Sequence, residues 1–337
     1  MYGLKYDFSA HSYITYSINV YLILLQVNYT RFPPDYILGI LAESSRLSGL
    51  DSTQLLPRIC RINPKISTST IMPPKNQTAL ITGASSGIGY ELAKLFAQDG
   101  INVVLVARRK PLLEKIKQDF EQQYQIKVVC IELDLSIIGK AQELYEACKI
   151  QNLQIDYLVN NAGYGAYGKV TDADAAMYEN MLSLNIITLT SLSTLFAKDM
   201  VQRRFGRILN IGSLAAFQSL PNLAAYGASK TYVMHFTEGL HAELKGTGVT
   251  ATVLNPGLTE TGFVDRADMS RSAQAQRTML KADVVARVGY RGMMRGKLNV
   301  VPGWQNRVLA FTAGVMPSRK LLLAAASFVM REAAKKR

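Results

Sequence analysis

A doubly wound α/β fold is predicted for this chain: a parallel sheet of about seven strands with helices on both faces. Two observations carry the prediction. From Thr78 onward, short continuous apolar runs alternate with stretches whose apolar residues recur every three or four positions. Strands that are apolar throughout, without polar alternation, are buried on both faces, which requires helices above and below a parallel sheet.

The elements follow in order. TALIT (78–82) is the first strand, and Ile88, Leu92, Leu95 and Phe96 mark the buried stripe of the first helix, which Gly100 stops. INVVLVA (101–107) is the second strand. Leu113, Ile116 and Phe120 form the next helical stripe, KVVCIEL (127–133) the third strand and DYLVNNAG (156–163) the fourth. GRILNIGS (206–213), GVTATVLNPG (248–257) and KLNVVPG (297–303) complete the set, separated by longer helical stretches. In one of these, Tyr232, Phe236, Leu240 and Leu244 repeat every four residues, as an apolar helical stripe does.

Residues 1–71 lack this alternation and run into the polar, proline-dotted RINPKISTSTIMPPK. They are expected to be an extension, disordered or dispensable, ahead of one α/β domain over 72–303 and a basic, apolar helical segment over 304–337. The run from Ile14 to Val27 is shorter than a membrane span and is interrupted by Ser17 and Asn19. No small-residue cleavage pattern follows it, so it fits a signal peptide poorly. Met72 is expected to be the biological start.

The net charge of +13 is unevenly spread. Residues 1–71 carry 6 Lys/Arg and 4 Asp/Glu, residues 72–286 carry 21 and 20, and residues 287–337 carry 11 and 1. With the excess confined to the C-terminal end, a nucleic-acid-binding role would have to rest on the tail alone, and none is expected. Cys60, Cys130 and Cys148 show neither paired spacing nor a metal-ligand pattern, which fits a reducing, cytoplasmic compartment. His11, His235 and His241 have no carboxylate or cysteine cluster beside them, so no metal site is expected.

Thr82-Gly83-Ala84-Ser85-Ser86-Gly87-Ile88-Gly89 stands between the first strand and the first helix. In that context Gly83 permits a sharp turn, Gly87 a close approach to a pyrophosphate, and Gly89 tight helix–strand packing. Helix N-terminal amides then face the phosphates, and Ser85, Ser86 and Ile88 complete the contacting loop. The fold is therefore expected to be of the Rossmann, dinucleotide-binding type.

The second strand ends in Ala107-Arg108-Arg109, where such folds offer an acid to the ribose hydroxyls. Without that acid there is no repulsion of a 2′-phosphate, and Arg108 can grip one with a bidentate fork, so NADP(H) is favoured over NAD. The other reading is a solvated arginine pair at a strand end. Asp134, after the third strand, reads as an acceptor for the adenine amino group or as a plain turn residue. Asn161, Ala162 and Gly163 end the fourth strand with the small residues needed where the chain passes close to a cofactor.

Tyr226 and Lys230 are four residues apart on a predicted helix, which places a phenol and an ammonium side by side on one face. A free tyrosine has a pKa of about 10, and a nearby cation is expected to lower it by stabilising the phenolate. Ser213 lies thirteen residues upstream of Tyr226.

TGASSGIG, NNAG, a serine ahead of Tyr-x-x-x-Lys, and Pro256-Gly257 with Thr261 occur in one order from about Lys75 to Gly303. In this the chain resembles the short-chain dehydrogenase/reductase family in its classical form. The resemblance implies hydride transfer between NADP(H) and a carbonyl or alcohol substrate. Tyr226 would be the proton donor, Ser213 the hydrogen-bond partner of the substrate oxygen, and Lys230 the modulator of Tyr226 and holder of the nicotinamide ribose. Asn185 would be a fourth member supporting a water near Lys230; its other reading is a buried helix amide satisfied by backbone. Pro256, Gly257, Thr259 and Thr261 would wall the nicotinamide, Gly262 to Gln276 would form a lid, and Tyr164, Tyr167 and Phe217 are candidate pocket walls. Homo-oligomers built through helices flanking the site are implied as well.

After the last strand, apolar runs are interleaved with Arg307, Arg319, Lys320, Arg331 and Lys335 to Arg337, and Pro317 breaks the segment. Two readings stand. The segment lies in an anionic membrane interface, or Leu321, Leu322, Ala325, Phe328 and Val329 pack on the domain or on a partner subunit. The expected function is an NADP-dependent oxidoreductase for an apolar ketone, 3-oxoacyl or lipid-like carbonyl. The alternative is an NADP-binding sensor that keeps the fold without turnover, against which the complete catalytic set speaks.

Overall fold

The computed structural model describes residues 76–261, 279–316 and 318–335, with side chains as far as Ser327. The chain divides into Met1–Ile71 and Met72–Arg337. The first unit, with its extension and Met72 expectations, lies outside the described residues, as do the expected lid and Pro317; Phe328, Val329 and Arg331 fall beyond the last described side chain.

Seven strands form one parallel sheet: β1 (Thr78–Thr82), β2 (Asn102–Ala107), β3 (Val128–Glu132), β4 (Tyr157–Asn160), β5 (Gly206–Ile211), β6 (Val249–Leu254) and, at its edge, β9 (Asn299–Val300), in the order β3-β2-β1-β4-β5-β6-β9. The expected doubly wound sheet is what the chain builds. Because strand side chains alternate faces, each continuous apolar run feeds two cores. Ala79, Ile81, Val103, Leu105, Tyr157, Val159, Leu209 and Ile211 point to one face. Leu80, Val104, Val106, Leu158 and Ile208 point to the other.

Helices α1 (Gly87–Gln98), α2 (Lys110–Tyr124) and α7 (Ala282–Met294) cover the first face. Their buried stripes include Leu92 and Phe96, then Leu113, Ile116 and Phe120, then Val285, Tyr290 and Met293. Helices α3 (Lys140–Ile150) and α5 (Leu189–Arg203) cover the second, through Leu144, Cys148, Leu192, Phe196 and Met200. α5 continues a shorter helix, α4 (Ala175–Leu182), and the joined apolar stretch Ala175–Arg203 is half buried, as a core helix of this kind is.

Phe96 is fully buried and meets Tyr157 and, edge-on, Tyr290, at ring-centroid distances of 5.3 and 4.9 Å. Phe96→Ala should cost about 3–5 kcal/mol, since such a site cannot collapse around the void. A denaturant midpoint that falls with an unchanged m-value would show the loss.

Three expectations change. The last strand pairs over Asn299–Val300 only, because the sheet edge meets just two residues of β6. A separate two-stranded ladder, β7 (Thr259–Glu260) with β8 (Leu280–Lys281), was not foreseen. In α6 (Ala224–Glu243), the apolar repeat is inward only in part: Leu244, just past its end, is buried and Phe236 and Leu240 pack on the core, while Tyr226, Ser229, Lys230, Val233, Met234 and Thr237 form the rest of the buried face. Tyr232 stays exposed, its ring stacked on that of Phe236 at 5.8 Å, because the polar side chains have partners inside the fold.

Candidate active site

Strand order reverses between β1 and β4, and the crevice beyond the carboxyl ends of those strands is where ligands sit in open α/β sheets. The glycine loop, Arg108, Asp134, Asn161 to Gly163, Ser213 and Pro256 all follow the carboxyl ends of sheet strands. The loop after β1 starts with Gly83 at φ +65°, folded over so that its amide donates to the Val106 carbonyl (2.8 Å). Gly89 packs so closely that a Cβ there would strike the Gly83 carbonyl and the Asn161 amide. A side chain at Gly87 would come within 3.0 Å of the Thr261 methyl, so the segment after β6 closes against the loop. Ser86 is the extended residue before α1, with no side-chain cap, which leaves the helix N-terminal amides for an outside acceptor. The half-buried Ile88 side chain packs against the core.

Asn161 donates to the carbonyls of Thr82 (2.9 Å) and Gly83 (3.2 Å), and the Thr82 hydroxyl accepts the Asn161 and Ala162 amides (3.0 Å each). These bonds pin the end of β4 to the glycine loop. Asn161 therefore acts on the crevice through backbone it holds in place.

At the end of β2 the two arginines part. Arg108 is exposed and lies 3.6 Å from Asp134. Arg109 reaches over the glycine loop and donates to the hydroxyls of Ser85 (2.9 Å) and Ser86 (3.1 Å). Asp134 accepts from the Ser136 amide and hydroxyl (3.0 and 2.7 Å), a turn interaction. Partial burial raises its carboxyl, but the bonds from Ser136 and the Arg108 cation outweigh this and hold it below its ordinary value.

Ser213 caps a short 3-10 turn, Leu214–Ala216, accepting the Ala215 amide at 3.1 Å, and its own amide donates to Asn255 Oδ1 (3.0 Å). Ser213 and Tyr226 share a side-chain hydrogen bond. Lys230 Nζ donates to the Ile211 carbonyl (2.8 Å) and lies 5.8 Å from the Tyr226 ring centroid. Both side chains are buried.

That burial corrects the expected acidity. It pushes the Tyr226 phenol up to about 12, with the Ser213 bond pulling partly back, and it pulls the Lys230 ammonium down to about 8. Desolvation sets the direction of both shifts, and the Lys230 donor is spent on a carbonyl.

Asn185 sits in a π-helical turn, Ser183–Thr188, between α4 and α5, a distortion frequent at functional sites. It is buried, its amide donating to the Tyr164 carbonyl (3.0 Å) and the Ser229 hydroxyl (3.1 Å) while Oδ1 accepts the Tyr164 amide (3.3 Å). The Tyr164 backbone and the Ser229 hydroxyl thus partner this amide. Gly163 brings it to the lysine: a Cβ there would lie 2.8 Å from Asn185 Oδ1 and 3.6 Å from Lys230 Nζ.

The Pro256 carbonyl accepts the Leu214 amide (2.9 Å), Thr259 donates to the Gly257 carbonyl (3.0 Å), and Thr261 to that of Thr259 (3.4 Å). Of the three candidate walls, Tyr164 and Tyr167 pack with Tyr226, Ala166, Met181 and Leu223. Phe217 does not; it packs on the α6 side with Val233, Met234 and Val253.

Three positioning residues were missed. Ser229 accepts from Asn185 and donates to the Tyr226 carbonyl (2.7 Å), and its signal was its place at i+3 from Tyr226. Asn255, directly before Pro256-Gly257, holds the Ser213 amide. Arg109 was one residue from the arginine chosen.

A glycine cradle at the switch point, with a half-buried Ser213 and buried Tyr226 and Lys230 beside it, fits a nucleotide-dependent oxidoreductase of the α/β class. The model of the short chain dehydrogenase family matches residues 77–272. The very-long-chain 3-oxoacyl-CoA reductase of Anas platyrhynchos is 31% identical over 68% of this chain and 75% of its own. A short-chain dehydrogenase from Sphingobium yanoikuyae, solved with NADPH, is 30% identical with a TM-score of 0.65 over 71% of this chain and 93% of its own. One from Burkholderia phymatum, solved with NAD, is 26% identical with a TM-score of 0.61 over 67% and 89%. This chain belongs to the short-chain dehydrogenase family and is an oxidoreductase.

Proposed function

We propose that the protein is an NADP-dependent carbonyl reductase or alcohol dehydrogenase with Ser213, Tyr226, Lys230 and Asn185 as its catalytic set. The observation that carries this is the meeting of Ser213 and Tyr226, in hydrogen-bond contact, with Lys230 beside them at the edge of the glycine cradle. The cradle fits a dinucleotide, since the turn at Gly83 and the close packing of Gly89 against it hold the N-terminal amides of α1 at the crevice, where a pyrophosphate is bound in such folds. Gly83, Ser85, Ser86, Gly87, Ile88 and Gly89 would hold the pyrophosphate, Asp134 the adenine, Asn161, Ala162 and Gly163 the ribose side, and Pro256, Gly257, Thr259 and Thr261 the nicotinamide. When bound, NADPH supplies the hydride.

The chain's own groups handle the proton and the charge. Tyr226, kept protonated by burial, donates its proton to the carbonyl oxygen of the substrate. Ser213 hydrogen-bonds the same oxygen as negative charge develops on it. Lys230 holds positive charge next to Tyr226 and stabilises the phenolate left behind. Asn185, through Tyr164 and Ser229, fixes the backbone around Tyr226 and Lys230.

The apolar cluster around Tyr226, including Met181 and Leu223 with Tyr164, Tyr167 and Leu220 beside them, supports an apolar ketone or 3-oxoacyl-type substrate. The relative named as a very-long-chain 3-oxoacyl-CoA reductase points to the same class.

Preference for the 2′-phosphate is placed on Arg108 and Arg109 together. Arg109→Ala should weaken NADPH binding about 10–100-fold, the loss of one or two charge-assisted hydrogen bonds, and weaken NADH binding less, through the Ser85 and Ser86 hydroxyls it holds. Titration of both cofactors by protein fluorescence checks it. Equal losses for the two would remove the phosphate role.

A further inference from the structure

Helix α8 (Trp304–Val315) carries its apolar residues on the wrong face for packing on the domain. Trp304, Val308 and Val315, at i, i+4 and i+11, share one face and are 57%, 43% and 48% exposed. The inward side holds Ala310, which is buried, and Asn306, which bonds the Pro302 carbonyl (2.7 Å) and packs against Gly257. Met316, Leu321 and Leu323 extend the exposed apolar surface onto the start of α9 (Arg319–Lys335). The cations Arg307, Arg319 and Lys320 are exposed on the same two helices. An outward apolar stripe this regular needs a partner.

We infer that α8 and the start of α9 form a docking surface for an anionic lipid bilayer, lying in its interface with the apolar stripe inserted and the cations at the headgroups. Charge selects this occupant. Residues 287–337 carry 11 Lys/Arg against 1 Asp/Glu, so a second copy of the chain would bring the same strong positive charge to the contact, whereas anionic headgroups neutralise it. Length sets the orientation: the 12 residues of α8 rise about 18 Å, well short of the roughly 30 Å hydrocarbon core, so the helix lies flat. Because Asn306, on the opposite face of α8 from the stripe, packs against Gly257, the helix sits beside the candidate site. That this admits apolar substrate from the lipid rests on the function proposed above; the surface itself does not.

Trp304 is the chain's one tryptophan, so its fluorescence reports the contact directly. The full chain is mixed, without substrate or cofactor, with phosphatidylcholine vesicles that contain or lack phosphatidylglycerol. With phosphatidylglycerol, emission should move to shorter wavelength, be quenched by brominated acyl chains, and return on raising the salt; without it, nothing should move. Val308→Glu with Val315→Glu should lower partitioning at least about tenfold while leaving the thermal melt unchanged. Emission indifferent to anionic vesicles, or a shift that follows protein concentration in their absence, would overturn the proposal, the latter by showing that a second copy covers the stripe. Since no turnover is measured, failure here leaves the oxidoreductase reading standing, and failure of that reading leaves this result standing.

Discussion

Tyr226→Phe is expected to lower kcat/KM for carbonyl reduction by about 10²–10⁴-fold, the range that a positioned general acid contributes, with NADPH affinity unchanged. The substitution removes one oxygen from a buried ring packed against Ala166, Met181, Ala215 and Leu223, so the packing survives and the proton does not. The fall should appear in kcat and kcat/KM alike, as for a group acting in the transition state. Ser213 then loses its phenol partner but keeps the Ala215 amide, so the turn that presents it stays formed. A variant with full turnover would end the proposed mechanism; one that lost NADPH binding as well would show that the tyrosine is structural.

Lys230→Met should abolish reduction and at the same time raise the melting temperature of the cofactor-free protein. Burial lowers the Lys230 ammonium from 10.5 to about 8, so carrying its charge in the folded state costs on the order of 3 kcal/mol. Methionine removes that cost but leaves the Ile211 carbonyl without its donor, giving back about 1 kcal/mol. The net gain of about 1–2 kcal/mol corresponds to about 2–8 °C. Its pH dependence has a definite sign. Between about 8 and 10.5 the unfolded chain holds this proton and the folded chain has released it, so the wild-type penalty fades with rising pH. The variant's advantage should be complete below about pH 8 and vanish by about 10.5. Melting curves of both proteins across that range check it; an advantage that grows with pH would contradict the buried-charge account. The kcat/KM of the wild type should fall through about pH 8 for the same reason, because neutral Lys230 no longer stabilises the phenolate.

Most of the sheet was legible because parallel strands buried on both faces leave short continuous apolar runs, here alternating regularly with helical stripes. The glycine loop was legible because only glycine fits where Gly83 turns and Gly89 packs. What the sequence concealed were partnerships. In α6 the first residue of the apolar repeat, Tyr232, is exposed, while the polar Ser229, Lys230 and Thr237 are buried, because hydrogen bonds to other elements made their burial affordable. Adjacent Arg108 and Arg109 leave the strand end in different directions, one to Asp134 and one to the glycine loop, which composition cannot distinguish. The acidity of Tyr226 followed the same pattern. Spacing placed a cation on its face of the helix, but the depth of burial, invisible in sequence, decided the sign of the shift. The π-turn at Asn185 and the two-residue strands β7 and β8 left no periodicity to read.

The central claim is hydride transfer from NADPH to a carbonyl carbon, assisted by a proton from Tyr226. It is tested most directly by incubating the protein with an apolar ketone and NADPH deuterated at the transferable position, then locating the label in the product by mass spectrometry. One deuterium on the carbinol carbon of the alcohol, formed by the wild type and lost with Tyr226→Phe, is the predicted result. Unlabelled alcohol, or label delivered equally well by the variant, would contradict it.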